Sequence, residues 1–249
     1  LNQLLKIVHR PFQEIGGDFW NRGYQLAEQP APGLHPTWDK VLQHTGQYLD
    51  PYVADDSWCQ ENNILTGKDY LTVYLAKTVQ EPEARLPQLF LYSPQQGTGK
   101  DTFTDSIALL FEQGAVCDAT IAATSQSGFN SELEGVIVYK LNEIDLSRAG
   151  SMAESRCREW TTAHQITVHP KGYRPYQICN YGRVIQMANS LRYKMVDAED
   201  KRVVIIQLSE IPKDDQLDWA TELCPPLVDE RAAFLHTLVN YDLPKQGAR

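Results

Sequence analysis

The segment from Gln88 to Phe111 constrains the fold of this chain more than any other, because it predicts a buried strand, a glycine loop and an amphipathic helix in direct succession. An apolar run follows Gln88, and Gly97 and Gly99 lie in the polar turn after it. Apolar residues then recur at the spacing of one helical face, at Phe103, Ile107, Leu110 and Phe111. A turn between a strand and a helix in this order is the context typical of a phosphate-binding loop.

The loop contains the groups that phosphate binding needs. Gly97 and Gly99 free the backbone to turn its N–H groups toward phosphate oxygens, and the following helix directs its N-terminal dipole at the same anion. Lys100 supplies a cation. Glycines alone would be typical of an ordinary structural turn, whereas strand, Gly-x-Gly-Lys and helix together indicate nucleotide binding.

Two positions depart from the full Gly-x4-Gly-Lys-Ser/Thr pattern. Pro94 stands where the first glycine is expected, and Asp101 stands where a magnesium-binding hydroxyl is expected. The Asp101 carboxylate can bind a hard cation, but it also brings a negative charge close to the phosphates. Thr102 carries a hydroxyl about 100° further around the helix, so which of the two meets the metal stays open.

Composition limits the class of protein. At 249 residues the chain is long enough for one large domain, or for one domain with a smaller appendage. The formal net charge of −9 argues against a generally basic surface, although basic residues can be confined to one nucleic-acid channel. No apolar run approaches the roughly 18 residues of a membrane span, so we expect no membrane association.

The start of the chain and its cysteines indicate the compartment. The chain begins at Leu1 with neither a start methionine nor a signal pattern, which predicts a fragment of a longer protein. The five cysteines are odd in number and never form a C-x2-C pair, so we interpret them as reduced core or surface thiols of a cytosolic protein. The six histidines show no ligand spacing, and no zinc site is expected.

Two helices are predicted before the loop. One begins near Thr37, a suitable N-cap, and the other covers Lys68 to Gln80, where Glu81-Pro82 stops it. The stretch from Gln29 to Pro36 is rich in proline and breaks any regular element ahead of them. This order suits an ATPase core preceded by a small helical collar.

A second buried strand, Val136 to Leu141, ends in carboxylates. Because open α/β sheets bind ligands at the carboxyl ends of their strands, Glu143 is expected to orient and polarise an attacking water. Asn142 occupies the position where many such sites have a metal-associated Asp. Asp145 or a water molecule is then left as the metal ligand. An ordinary strand end with solvated acids is the alternative.

The second half of the chain predicts a hairpin and two further strands. A capping box at Ser151 to Glu154 opens a helix, and two alternating runs between Gln165 and Asn180 predict a β-hairpin. Its tip carries Lys171, Tyr173 and Arg174, a combination of charge and ring that suits single-stranded nucleic acid, although a solvated tip is the alternative. The remaining predicted elements are a strand over Arg183 to Ser190 with Asn189 at its end, a strand over Val203 to Leu208 after Glu199-Asp-Lys-Arg202, and helices over Asp215 to Leu223 and Asp229 to Tyr241 split by Cys224-Pro-Pro226.

In this order the elements resemble superfamily 3 helicases, specifically the AAA+ helicase domain of phage, plasmid and poxvirus-type primase-helicases. The resemblance covers about Tyr70 to Leu243, and it depends on the order and spacing of its pieces together. Those pieces are the Gln-Gly-Thr-Gly-Lys loop at Gln96 to Lys100, Phe129-Asn-Ser-Glu-Leu133, the strand ending at Asn142-Glu143, the Lys171 hairpin, Met187-Ala-Asn189 and Asp200-Lys-Arg202.

The resemblance implies an α/β P-loop NTPase of AAA+ type, with a central mostly parallel sheet flanked by helices, a small helical N-terminal collar and C-terminal helices. We therefore expect an N-terminal segment and collar over 1–80, an ATPase core over 81–212 and a C-terminal helical segment over 213–249. The implied function is an ATP- and magnesium-dependent replicative DNA helicase that translocates on single-stranded DNA as a homo-oligomer, usually a hexamer. A fused or associated primase or polymerase domain, and a cytoplasmic location in a bacterial host or with a virus, are further expectations.

Residue roles follow from the matching motifs. Lys100 would bind the β- and γ-phosphates, Glu143 would activate water and Asn189 would sense the γ-phosphate. Arg202, or Lys201, would reach the ATP of a neighbouring subunit. The expected nucleotide-binding residues are Gln96, Gly97, Thr98, Gly99, Lys100, Asp101 and Thr102, the DNA-binding residues are Lys171, Tyr173 and Arg174, and the metal-binding residues are Asp101, Thr102 and Asp145. An ATP-binding, DNA-associated scaffold ring with weak or no hydrolysis and a monomeric P-loop kinase are the alternatives.

Overall fold

The computed structural model describes residues 6–145, 150–191 and 200–244. A central five-stranded sheet, parallel at every pairing, is flanked by helices. This confirms the predicted mixed α/β class with a central parallel sheet. Among the described residues, every helix is too short or too polar to cross a bilayer.

The strands of the described residues form three sheets. The strands are β1 Lys6–Val8, β2 Phe19–Asn21, β3 Gln88–Tyr92, β4 Val116–Asp118, β5 Val138–Asn142, β6 Gln165–Val168, β7 Tyr176–Cys179, β8 Arg183–Ala188 and β9 Val203–Gln207. The central sheet has the order β4-β5-β8-β3-β9, β1 pairs with β2 in parallel, and β6 and β7 form an antiparallel hairpin.

The helices lie before, between and after these strands. They are α1 Pro36–Gly46, α2 Asp50–Asp55, α3 Ser57–Glu61, α4 Gly67–Gln80, α5 Lys100–Ala108, α6 Thr120–Thr124, α7 Ser151–Thr162, α8 Cys224–Asp229 and α9 Arg231–Val239. The helix predicted to begin at an N-cap of Thr37 is present as α1, but its N-cap is His35, so Thr37 already lies in the first turn and the predicted cap is wrong. The helix predicted from Lys68 is present as α4 and begins one residue earlier. Pro36 occupies the first turn of α1, and Thr66 caps α4 in a capping box with Asp69.

The strand order decides which loops meet. Strand β8 lies between β3 and β5, with Tyr92 opposite Ala188 and Asn142 opposite Met187. The carboxyl ends of these three strands are therefore side by side at one edge of the sheet. The phosphate loop, Asn189 and Glu143 all follow those ends.

One hydrophobic cluster joins the N-terminal helices to the sheet. Trp38 of α1, Leu71 of α4, Leu89 of β3 and Phe103 of α5 are buried within it. Trp38 also stacks on Phe234 of α9, with ring centroids 4.6 Å apart. The helices before the loop share a core with the central sheet, and the division at residues 80 and 212 stays a prediction.

Two helix boundaries differ from the sequence prediction. Gly150, with φ of 93°, is the N-cap of α7, so Ser151 is already helical and no capping box forms. The split at Cys224-Pro-Pro226 is also wrong, because both prolines lie in the first turn of α8, where no intrahelical N–H is needed. A π-helix over Trp219–Leu223 runs directly into α8.

Candidate nucleotide site and nucleic-acid hairpin

The predicted phosphate loop, residues 93–99, connects β3 to α5. Gly97 and Gly99 have φ of 69° and 84°, in the left-handed region that a Cβ disfavours. Gly99 is the N-cap of α5, and Lys100 is the first residue of that helix. The first N–H groups of a helix have no intrahelical partner, so the end of this loop presents free donors to an anion.

Lys100 is buried under the loop and bound to it. Its Nζ donates to the carbonyls of Ser93 and Gln95, at 3.4 Å each, and to Asn189 Oδ1 at 2.9 Å. Burial lowers the pKa of Lys100, while the charge of Glu143 acts in the opposite direction. The ammonium is therefore held in place by neutral oxygens, which a phosphate can replace.

Asn189 links this lysine to the carboxylate at the end of β5. Its Nδ2 donates to Glu143 Oε1. Glu143 is exposed and has φ of 45°, which is uncommon for a residue with a Cβ, and its N–H donates to the carbonyl of Met187 at 3.0 Å. A strained backbone such as that of Glu143 is typical of functional sites. We call Lys100, Asn189 and Glu143 the polar relay.

Asp101, in the first turn of α5, forms an ion pair with Lys140 of β5. Its side chain is 75% exposed, and Oδ1 lies 3.2 Å from Lys140 Nζ, which also lies 3.1 Å from Asp105 Oδ1. Burial alone would lower the pKa of Lys140, but the two carboxylates outweigh it and raise the pKa. Sequence reasoning missed Lys140, although a lysine inside a buried strand was the available signal.

The other predicted metal residues lie around the same edge. Thr102 and Asp145 are both partly buried. Asn142 is hydrogen-bonded to the end of β4, since its Nδ2 donates to Asp118 Oδ2 at 2.7 Å. Burial raises the pKa of Asp118, but hydrogen bonds from Thr120 and Asn142 outweigh it and lower the pKa overall.

The oxygen ligands predicted at this edge are of the type that binds magnesium together with a nucleotide. Among the described residues, no three His, Cys, Asp or Glu side chains could enclose a metal ion together. Magnesium instead accepts one or two protein oxygens together with phosphate oxygens and water. Asp101, Thr102 and Asp145 carry the oxygens predicted for this role, and the carboxylate of Asp101 is already paired with Lys140.

A cleft of about 260 Å³ opens beside the phosphate loop. Its lining includes Val41, His44, Thr102, Ile211, Leu217 and Leu223. His44 Nε2 donates to the carbonyl of Thr98 at 2.9 Å, and the buried Thr98 hydroxyl has no hydrogen-bond partner in the described part of the chain. Sequence reasoning missed His44 and Ile211, because no local pattern marks contacts made across more than 50 residues.

The predicted hairpin is confirmed. Strands β6 and β7 pair with Ile166 opposite Ile178, and Tyr173 N–H donates to the carbonyl of Pro170 at 3.2 Å in the turn. Lys171, Tyr173 and Arg174 are all exposed at the tip, with Tyr173 75% exposed. Their contact with DNA stays a prediction.

Arg202 lies at the opposite edge of the sheet from the phosphate loop. Its carbonyl accepts from Gln88 N–H at 2.8 Å, at the amino ends of β3 and β9. Its Nε and Nη2 donate to the Asp200 carboxylate at 2.7 and 2.9 Å, and its side chain is 44% exposed. Arg202 therefore cannot reach the loop of its own chain. Glu199, named with it in the sequence, is outside the described residues.

Comparison with known proteins gives a family match and similar solved structures. Residues 91–202 match a family of unknown function, DUF5906. Solved apo structures of the NrS-1 C-terminal region (305–718) are similar with a TM-score of 0.64 at 20% identity, and of 0.62 at 18% identity. No curated protein matches.

These comparisons support the fold. Each solved structure covers 86% of this chain, which spans only 48% and 47% of their length. At such identities the similarity shows the fold alone. The polar relay and Arg202 all lie within the range that matches the family.

Proposed function

We propose that this chain is the ATP-hydrolysing, AAA+-type domain of a replicative DNA helicase that works on single-stranded DNA as a ring of identical copies. The polar relay is the observation that carries the proposal. Phosphoryl transfer requires a cation on the phosphates and a group that orients the attacking water, both at one place. Lys100 and Glu143 meet that requirement, and Asn189 joins them.

The roles follow from this geometry. Lys100 binds the β- and γ-phosphates together with the free N–H groups of the loop. Glu143 polarises the water, and Asn189, between them, contacts the γ-phosphate. Oxygens of Asp101, Thr102 or Asp145 would hold a magnesium ion, which would supply positive charge against the phosphates. The apolar cleft beside Gly97 and Gly99 would receive the base.

The helicase part of the proposal depends on the hairpin and on Arg202. The exposed cations and ring at the hairpin tip suit phosphates and bases of a single strand. Arg202 lies at the edge opposite the loop, so any contact with ATP requires a second copy, and a closed ring, usually a hexamer, supplies one. A primase or polymerase domain on the same or an associated chain would complete the replication protein.

One observation favours the second candidate, an ATP-binding, DNA-associated scaffold ring with weak or no hydrolysis. Asp101 replaces the usual magnesium-binding hydroxyl, and its carboxylate is paired with Lys140. A residue held in this way coordinates metal poorly, which would slow turnover more than it weakens nucleotide binding.

An ATPase and binding assay tests the proposal. The wild type should bind a fluorescent ATP analogue and hydrolyse ATP faster with single-stranded DNA, whereas Lys100→Ala should lose both binding and hydrolysis. Arg158→Ala, an exposed arginine away from the loop, is the matched control. Equal ATP affinity in the wild type and Lys100→Ala would remove the site assignment, and binding without hydrolysis would favour the scaffold ring.

A further inference from the structure

The peptide between Thr98 and Gly99, at the end of the phosphate loop, is contacted from outside by helix α1. His44 Nε2 donates to the carbonyl of Thr98 at 2.9 Å. The imidazole also packs on Gly99, where an added Cβ would lie 3.6 Å from both Nε2 and Cδ2 of His44. A side chain 54 residues earlier in the chain therefore fixes the direction of a loop carbonyl.

The direction of this carbonyl decides which group the loop offers to an anion. In a planar trans peptide, the C=O and the N–H that follows it point in opposite directions. Because the Thr98 carbonyl points at His44, the Gly99 N–H points away from α1, and it forms no hydrogen bond with any described residue. Rotating the peptide by about 180° would exchange the two groups and put a carbonyl oxygen in place of the donor.

The loop backbone by itself does not select one of these two orientations. Gly99 has φ of 84°, and glycine adopts positive and negative φ about equally well. Rotating the peptide changes this φ without meeting a Cβ, so both orientations are open to the backbone. The hydrogen bond from His44 favours the one in which the donor is available.

His44 lies on a rigidly packed helix. It is in the last turn of α1, whose Trp38 and Leu42 are buried in the core. The end of α1 also touches the backbone of α4, since a Cβ added to Gly46 would lie 2.4 Å from the carbonyl carbon of Gly67. A donor supported in this way can hold the loop in one geometry.

We infer that His44 is a positioning residue, which keeps the Gly99 N–H available to the phosphates of the bound nucleotide. It acts through the loop peptide and not through the base. The apparent affinity for ATP then depends on the fraction of molecules whose loop has the competent orientation. This inference rests on the proposed function.

The test compares ATP affinity and steady-state kinetics in three variants. His44→Ala should weaken ATP binding about threefold to tenfold, the effect of one hydrogen bond. It should raise KM by the same factor and leave kcat unchanged, because the loop is already ordered once ATP is bound. His44→Gln should restore most of the affinity, since its amide nitrogen can take the place of Nε2. The amide nitrogen of His44→Asn corresponds to Nδ1 and should restore none.

Inorganic triphosphate separates loop orientation from contact with the base, because His44 also lines the cleft proposed for the base. When triphosphate displaces a fluorescent ATP analogue, His44→Ala should weaken it by the same factor as ATP. His164→Ala, which removes an exposed histidine ahead of the hairpin, is the matched control and should keep wild-type affinity. If thermal melting shows that His44→Ala does not fold, the difference between His44→Gln and His44→Asn provides the test.

Three outcomes would overturn the inference. The first is wild-type ATP affinity in His44→Ala, and the second is equal affinity in His44→Gln and His44→Asn. The third is a loss for ATP without a loss for triphosphate, which would assign His44 to the base. In each case, weaker ATP binding in Lys100→Ala would leave the proposed function standing. Absence of ATP binding by the wild type would instead contradict the proposed function.

Discussion

Lys100 Nζ lies 2.9 Å from Asn189 Oδ1, and through Asn189 the phosphate loop is hydrogen-bonded to the Glu143 carboxylate. The three residues follow the ends of three neighbouring strands. A phosphate that enters the loop must take over the hydrogen bonds of Lys100, which releases the Asn189 amide. Binding and water activation are therefore expected to be coupled through Asn189.

Glu143→Gln should separate binding from hydrolysis. The glutamine oxygen can still accept from Asn189, so ATP affinity should be unchanged, while loss of the carboxylate should lower turnover on the order of 10² to 10⁴-fold. Single-turnover hydrolysis and analogue binding measure the two effects. Glu154→Gln, a half-exposed carboxylate on α7, is the control. A full hydrolysis rate in Glu143→Gln would show that another group activates the water.

Asn189→Ala should break the relay while leaving the loop intact. We expect turnover to fall about 10² to 10³-fold, the cost of removing one positioned donor, with a much smaller change in ATP affinity because Lys100 remains. Steady-state kinetics with a parallel binding titration distinguish these effects. An affinity loss as large as the rate loss would mean that Asn189 only supports the folded loop.

Asp101→Ser should strengthen magnesium-dependent ATP binding about threefold to tenfold, because it removes a negative charge near the phosphates and restores a hydroxyl. Asp101→Asn removes the charge without adding the hydroxyl, so comparing the two variants separates these causes. Titrations with and without magnesium provide the measurement. Weaker binding in both variants would assign Asp101 a direct role in holding the ion.

At alkaline pH, we expect the Lys100 amine to take up a proton when ATP binds. Burial lowers the pKa of Lys100, so the free site loses its charge at a lower pH than an ordinary lysine, and bound phosphates favour the charged form again. ATP affinity should therefore fall as pH rises through this lowered pKa. Calorimetry in two buffers of different ionisation enthalpy measures the uptake, and a buffer-independent enthalpy would contradict it.

Replacing Lys171, Tyr173 and Arg174 by alanine should weaken single-stranded DNA binding and spare nucleotide affinity. Loss of two cations should reduce the slope of log affinity against log salt by about 1.4, at roughly 0.7 per phosphate contact on a single strand. Arg158→Ala with Lys213→Ala, two exposed cations away from the hairpin, is the matched control. An unchanged slope in the triple variant would make the hairpin tip an ordinary solvated turn.

The sequence by itself determined the elements that depend on local chemistry. Apolar period and glycine position predicted β3, the loop and α5, because a left-handed turn and a helical face are properties of neighbouring residues. The same reasoning predicted the hairpin and the polar ends of β5 and β8. It failed at Cys224-Pro-Pro226, since a proline that stops one helix is equally suited to the first turn of the next.

The tertiary structure decided which of these ends meet. Local periodicity does not specify strand order, so only the sheet could show that β8 lies between β3 and β5 and brings Asn189 between Lys100 and Glu143. The pairing of Asp101 with Lys140 likewise joins residues distant in sequence. The partners of these groups are set by packing between segments distant in sequence, which one linear pattern does not contain.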